Sequence, residues 1–124
     1  MNSTDVVRIH GYTCYRTDFN NEHRSSGGVA IFTSTNLPST HFPLSTSLQA
    51  IAVQVHFNIL ITVCSVYLPP NTLISQTDLN SLLDQLPLPL ILLGDFNGHS
   101  ELWGSTTTNP RGRQIEQLIS DQSR

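Results

Sequence analysis

The chain has 124 residues, of which 38% are hydrophobic and only 12% charged, and its formal net charge is −3. That length suits one domain able to bury roughly two thirds of its unfolded surface, and the composition excludes a charged disordered tail. All six basic residues are arginines (Arg8, Arg16, Arg24, Arg111, Arg113 and Arg124), too few for a module that holds nucleic acid mainly by neutralising phosphates; a nuclease is not excluded, because a metal ion can supply positive charge locally.

The first strand-like run is Tyr12–Thr17, followed by a polar loop over Asp18–Ser26 that closes at Gly27-Gly28. Val29–Phe32 reads as a short strand, and Thr33–Ser47, with two prolines and many hydroxyls, as a connection. Leu48–Phe57 alternates: Ile51, Val53, Val55 and Phe57 fall on one face, Gln54 and His56 on the other, as in a strand with one exposed face. Asn58 is a turn residue, and Ile59–Leu68 is apolar on both faces, as an interior strand is. Pro69-Pro70 ends it. A helix follows, with Leu79, Leu82, Leu83 and Leu86 in one stripe and Ser75 with Asp78 as a capping box. Pro87 and Pro89 stop that helix, and Leu90–Leu93 is a fully apolar strand. Asn109 caps a second helix, Pro110 suits its first turn, and Ile115, Leu118 and Ile119 form its buried stripe. Strands, helix, strand, helix imply a layered α/β or α+β fold.

Cys14 and Cys64 sit far apart in apolar runs, which points to buried free thiols in a reducing compartment. Met1–Asp5 is short and polar, unlike a leader, and the longest apolar run is too short to span a bilayer. The expectation is an intracellular protein, nuclear or cytoplasmic, not secreted and without a membrane partner.

Leu90–Leu93 runs straight into Gly94-Asp95-Phe96-Asn97. Spaced two apart at a strand end, Asp95 and Asn97 are expected to leave on the same side. A carboxylate can hold or deprotonate a water there, and an amide can orient that water or a phosphate oxygen. Gly, Asp and Asn also form turns, so a plain turn fits as well. Tyr67, at the end of an interior strand, is placed either to reach a phosphate or to pack at a sheet edge. His99 is a candidate metal ligand or proton carrier, or an exposed loop histidine; His10, His23, His41 and His56 have no ligand-like spacing and read as surface residues. Trp103 could stack on a base or anchor a loop. Arg111 and Arg113 fall in a predicted first helical turn, where the helix dipole disfavours cations, so an external anion such as a nucleic-acid backbone competes with simple solvation.

Gly27–Phe32, Val66–Asn71, Leu92–His99, Leu102–Ser105 and Asn109–Gly112 occur in that order. The series resembles the endonuclease domain of jockey- and I-type non-LTR retrotransposons, within the endonuclease/exonuclease/phosphatase superfamily. The resemblance implies an α+β fold, part of a four-layer β-sandwich flanked by helices, and phosphodiester cleavage with Mg²⁺ or Mn²⁺. It makes Asp95 the carboxylate that activates water and touches the metal indirectly or through water, with Asn97 and Tyr67 on the scissile phosphate. His99 joins these as a catalytic candidate. Asn71, Asn109, Arg111 and Trp103 are candidates for substrate binding. The implied partners are DNA as substrate and a reverse transcriptase in the same polyprotein.

The family also has an early Asn-bearing strand, a metal-binding Glu after it, and a closing Ser-Asp-His motif. No acidic residue here matches the Glu, and Ser120-Asp121-Gln122 is not the closing motif. The expectation is therefore a domain truncated at both ends, with open sheet edges and an incomplete site that does not nick DNA. A catalytically dead remnant with weak nucleic-acid binding and a phosphatase or phosphodiesterase of the same superfamily are the alternatives.

Overall fold

In the computed structural model, residues 4–20 and 25–122 are described. They form seven strands and two α-helices: β1 (Thr4–Ile9), β2 (Tyr12–Asn20), β3 (Ser25–Ser34), β4 (Ser39–Phe42), β5 (Gln49–Phe57), β6 (Ile59–Tyr67), α1 (Gln76–Asp84), β7 (Leu90–Asp95) and α2 (Pro110–Gln122). A short 3-10 turn, Glu101–Trp103, lies between β7 and α2. The class is α+β, as expected.

Two strands were not anticipated. β1 pairs with β2 through the two-residue loop His10-Gly11, whose φ values of 44° and 85° are those of a tight hairpin turn. β4 emerges from the supposed connection because Ser39–Phe42 pairs with Ala52–Val55; its Ser39 Oγ lies 2.7 Å from Tyr15 Oη and 3.0 Å from Thr33 Oγ1, which ties the two sheets together. Both ends of the expected Asp18–Ser26 loop are strand. Asp18 pairs with Gly28 and Asn20 with Ser25, and residues 21–24, with His23, lie outside the described residues.

β1-β2-β3 make one antiparallel sheet; β4-β5-β6-β7 make the second. In the second sheet only the β6–β7 pair is parallel, since α1 carries the chain back to the starting edge. Tyr15, Ile51 and Val53, with Val29, Ile31 and Val55, fill the space between the sheets. The other face of the second sheet presents Ala50, Ala52, Cys64, Val66 and Leu68 to Leu79, Leu82 and Leu86 near α1 and Ile115 and Leu118 of α2. Three layers result among the described residues: sheet, sheet, helices.

This corrects the reading of Leu48–Phe57 as a strand with one exposed face. Ala50–Val53 are buried on both sides, because the sandwich covers the Ile51/Val53 face while the helices cover the Ala50/Ala52 face. Asn58 is the turn residue expected, at φ 64°, and Ser75 caps α1 by accepting from the Asp78 N–H at 3.4 Å. In α2, Ile115 and Leu118 are buried but Ile119 is 54% exposed, so the stripe is narrower than its periodicity suggested. Both cysteines are free and buried, and burial pushes the Cys64 thiol up to about 12. No described helix is long and apolar enough to cross a membrane.

Candidate active site

The parallel pair β6–β7 brings the candidate residues together. Their register sets Ser65 beside Leu93, Val66 beside Gly94 and Tyr67 beside Asp95, so the tyrosine and the carboxylate leave adjacent strands at the same level and on the same face. In open sheets with helical crossovers, the carboxyl ends of parallel strands are where ligands sit. Gly94 is needed for this approach: its φ is 149°, and a Cβ there would stand 1.8 Å from the Val66 carbonyl oxygen.

Past Asp95 the chain does not continue as a strand. Asn97 has φ 50°, and its N–H donates to Asp95 Oδ1 at 3.2 Å, forming an Asx-type turn. The plain turn that the sequence allowed is therefore present at this strand end. Asn97 is not in strand geometry as the alternation assumed, and its Nδ2 turns back to donate to the Leu68 carbonyl at 2.9 Å. The Leu68 N–H in turn donates to the Asp95 carbonyl at 2.9 Å. The exits of β6 and β7 are thus bonded to each other in both directions.

Asp95, Asn97, His99 and Trp103 line an open cleft of about 490 Å³, with Phe96 and Ile115 among its apolar walls. Trp103 donates from Nε1 to the Gly98 carbonyl at 3.3 Å and stays 42% exposed, so it anchors its loop and still offers ring surface to the cleft. His99 is exposed. Its backbone is held at both polar atoms by Asn109: the His99 N–H donates to Asn109 Oδ1 and the Asn109 N–H donates to the His99 carbonyl, each at 3.0 Å. Asn109 Oδ1 also accepts from the Gly112 N–H at 2.7 Å, which makes Asn109 the cap of α2 that its sequence context suggested and a latch on the cleft wall. It is not among the residues lining the cleft, and neither is Asn71, which lies exposed in the loop after β6.

Arg111 requires a correction. Its guanidinium does not stand out from the helix start as a surface cation but is turned inward, with the residue 8% exposed. Nη1 donates to the carbonyls of Phe96 (2.9 Å) and Leu68 (3.2 Å), and Nη2 to those of Pro69 (2.9 Å) and Thr72 (2.8 Å). Only a planar fork with several donors can bridge four carbonyls in this way. Arg113, two residues further along the helix, is exposed.

Other residues that shape the site were not singled out in the sequence. Gly112 packs directly on the cleft loop, where a Cβ would lie 1.8 Å from the His99 carbonyl oxygen. Ser100 is 1% exposed, and its hydroxyl donates to Glu116 Oε2 at 2.9 Å. Gln114 Nε2 donates to the Ile74 carbonyl. The glycine was visible in the Asn109–Gly112 run; nothing in the sequence marked Ser100 and Glu116 as partners.

A model of the family described as endonuclease-reverse transcriptase matches residues 61–124, the stretch that carries the parallel pair, the cleft and α2. The chain belongs to this family. Consistent with this, 94% of the chain is 31% identical to the "Probable RNA-directed DNA polymerase from transposon BS" of Drosophila melanogaster. Another 92% match, at 29% identity, is to the RNA-directed DNA polymerase from mobile element jockey of the same species. The chain spans about 13% of the length of each of these relatives. No solved structure gives a significant match. The membership accounts for the ordered motifs from Ile61 onward, while the relatives extend the likeness over most of the chain.

The divalent ion that the resemblance implies finds one carboxylate in the cleft, that of Asp95. Among the described residues, no group of three or more His, Cys, Asp or Glu side chains gathers to hold a metal. Mg²⁺ is usually held by one or two carboxylates plus waters and substrate phosphate, so these residues alone do not build a metal cage.

Proposed function

We propose that this chain carries the phosphodiester-cleaving site of an endonuclease acting on DNA, within a retrotransposon polyprotein that also holds a reverse transcriptase. The observation that carries the proposal is the register of Tyr67 beside Asp95 at the carboxyl ends of two parallel strands, in a chain that belongs to the endonuclease-reverse transcriptase family. Asp95 is exposed at the mouth of the cleft, where a carboxylate can take a proton from an attacking water. The Tyr67 hydroxyl and the Asn97 amide are suited to phosphate oxygens, and the Trp103 ring to a base. His99 lies on the same wall as a proton carrier.

Supercoiled-plasmid nicking tests this directly, with Mg²⁺, with Mn²⁺ and with EDTA, for the folded wild-type chain and for Asp95→Ala. Nicking that needs the cation and disappears in the variant supports the proposal. A second reading, DNA binding without turnover, is favoured by the single carboxylate in the cleft; it predicts a salt-dependent shift of a DNA probe and no nicking from folded protein in either ion.

A further inference from the structure

Arg111 is a buried cation that donates to four backbone carbonyls, on the exits of both β6 and β7. Three of them, Leu68, Pro69 and Thr72, belong to the exit of β6; the fourth, Phe96, lies between Asp95 and Asn97. Asn97 Nδ2 shares the Leu68 carbonyl. The helix that supplies Arg111 is itself held against the cleft loop by Asn109 on His99 and by the close approach of Gly112 to the His99 carbonyl.

From this arrangement we infer that Arg111 is the positioning residue of the site: it fixes the separation of the β6 and β7 exits, and with it the placement of Tyr67, Asp95 and Asn97, without touching substrate. The physical reason is geometric. A parallel pair is bonded along its length, but beyond Tyr67 and Asp95 the two exits diverge into loops whose carbonyls have no ladder partners. A guanidinium placed between them satisfies four such carbonyls at once with charge-assisted bonds. Lysine keeps the charge but presents its donors from one point and cannot bridge the same four oxygens. The catalytic part of this inference rests on the function proposed above; the positional part does not.

The test compares the whole wild-type chain with Arg111→Lys, Arg111→Met and, as a surface control on the same helix, Arg113→Ala. Amide exchange and the side-chain NMR signal of Asn97 report the positional part. Arg111→Lys and Arg111→Met should speed exchange at the Leu68, Thr72, Asn97 and His99 amides by on the order of tenfold or more, leave β5 and β6 protected, and shift the Asn97 amide signal. Arg113→Ala should do none of this. For nicking, kcat should fall with KM unchanged, and the dependence of DNA binding on salt should keep its slope. If Arg111→Lys leaves exchange and the Asn97 signal as in the wild type, the inference is wrong. It is also wrong if the salt slope drops by about one in the Arg111 variants alone, since that marks a phosphate contact. Should the wild type neither nick nor bind DNA, the proposed function falls, while exchange and the Asn97 signal still decide the role of Arg111.

Discussion

Asn97 and Arg111 share one acceptor, the carbonyl oxygen of Leu68, at 2.9 and 3.2 Å. A side chain from the β7 exit and one from the start of α2 thus converge on the first residue after β6. The sharing couples the two sites energetically, so substitutions at Asn97 and Arg111 are not expected to be additive.

Replacing Asn97 by Ala should therefore cost more than a surface amide would. It leaves a left-handed backbone position to a residue that disfavours it and removes one donor from the Leu68 carbonyl. A double-mutant cycle with Arg111→Met, read by urea denaturation, should show a coupling of roughly 0.5–3 kcal/mol. Strict additivity would mean the shared carbonyl does not couple them.

Gly112→Ala should disturb the cleft more than most exposed substitutions in α2. Its Cβ would meet the backbone of His99, which cannot rotate away as a side chain can. Overpacking of this kind costs roughly 1–3 kcal/mol, so thermal unfolding should begin several degrees lower. Gly104→Ala, with nothing within 4 Å of its Cβ, should show only the smaller penalty of its positive φ. Equal losses in the two variants would argue that the α2–cleft contact is not tight.

Ser75→Ala should remove the cap of α1, at a cost of about 1 kcal/mol. Asn58→Gly should be neutral or slightly stabilising, whereas Asn58→Val should cost about 1–2 kcal/mol, because φ 64° forces Cβ against the following carbonyl. Chemical denaturation of the three variants checks both points.

The pH dependence has two opposite edges. Cys64 is raised from 9.0 to about 12 by burial, so the folded state favours the neutral thiol; its contribution is complete below pH 9 and is lost as pH climbs toward 12. Cys64→Ala should flatten stability over that window, and the native thiol should resist a disulfide reagent at pH 8 until the chain unfolds. His41 is lowered below its ordinary 6.5 by burial, so the unfolded chain binds the proton more readily and stability falls as pH drops from 6.5. His41→Gln should blunt that acid-side loss. A stability–pH curve unchanged by either variant would contradict these assignments.

Most elements were legible in the sequence because they rest on short-range rules. Period-two alternation marked β5, period-3.6 spacing marked α1 and α2, and Ser75, Asn109 and Asn58 announced caps and a turn through chemistry that acts within a few residues. The Gly94–Asn97 run stood out for the same reason. β4 escaped notice because its strand character comes from pairing with Ala52–Val55, not from any alternation of its own. Ile119 misled because its periodicity fits the buried stripe while the packing leaves it 54% exposed.

By itself, then, the sequence determined where the chain can be helical or extended and which polar residues stand at the strand end. Only the tertiary structure decided which of those polar groups face the cleft. Arg111 looked like a surface cation at a helix start, yet its bonds reach residues up to 43 positions away; Asn97 bonds a carbonyl 29 positions back. A donor's direction is set by which carbonyls three-dimensional packing leaves unpaired nearby, and no local pattern along the chain encodes that.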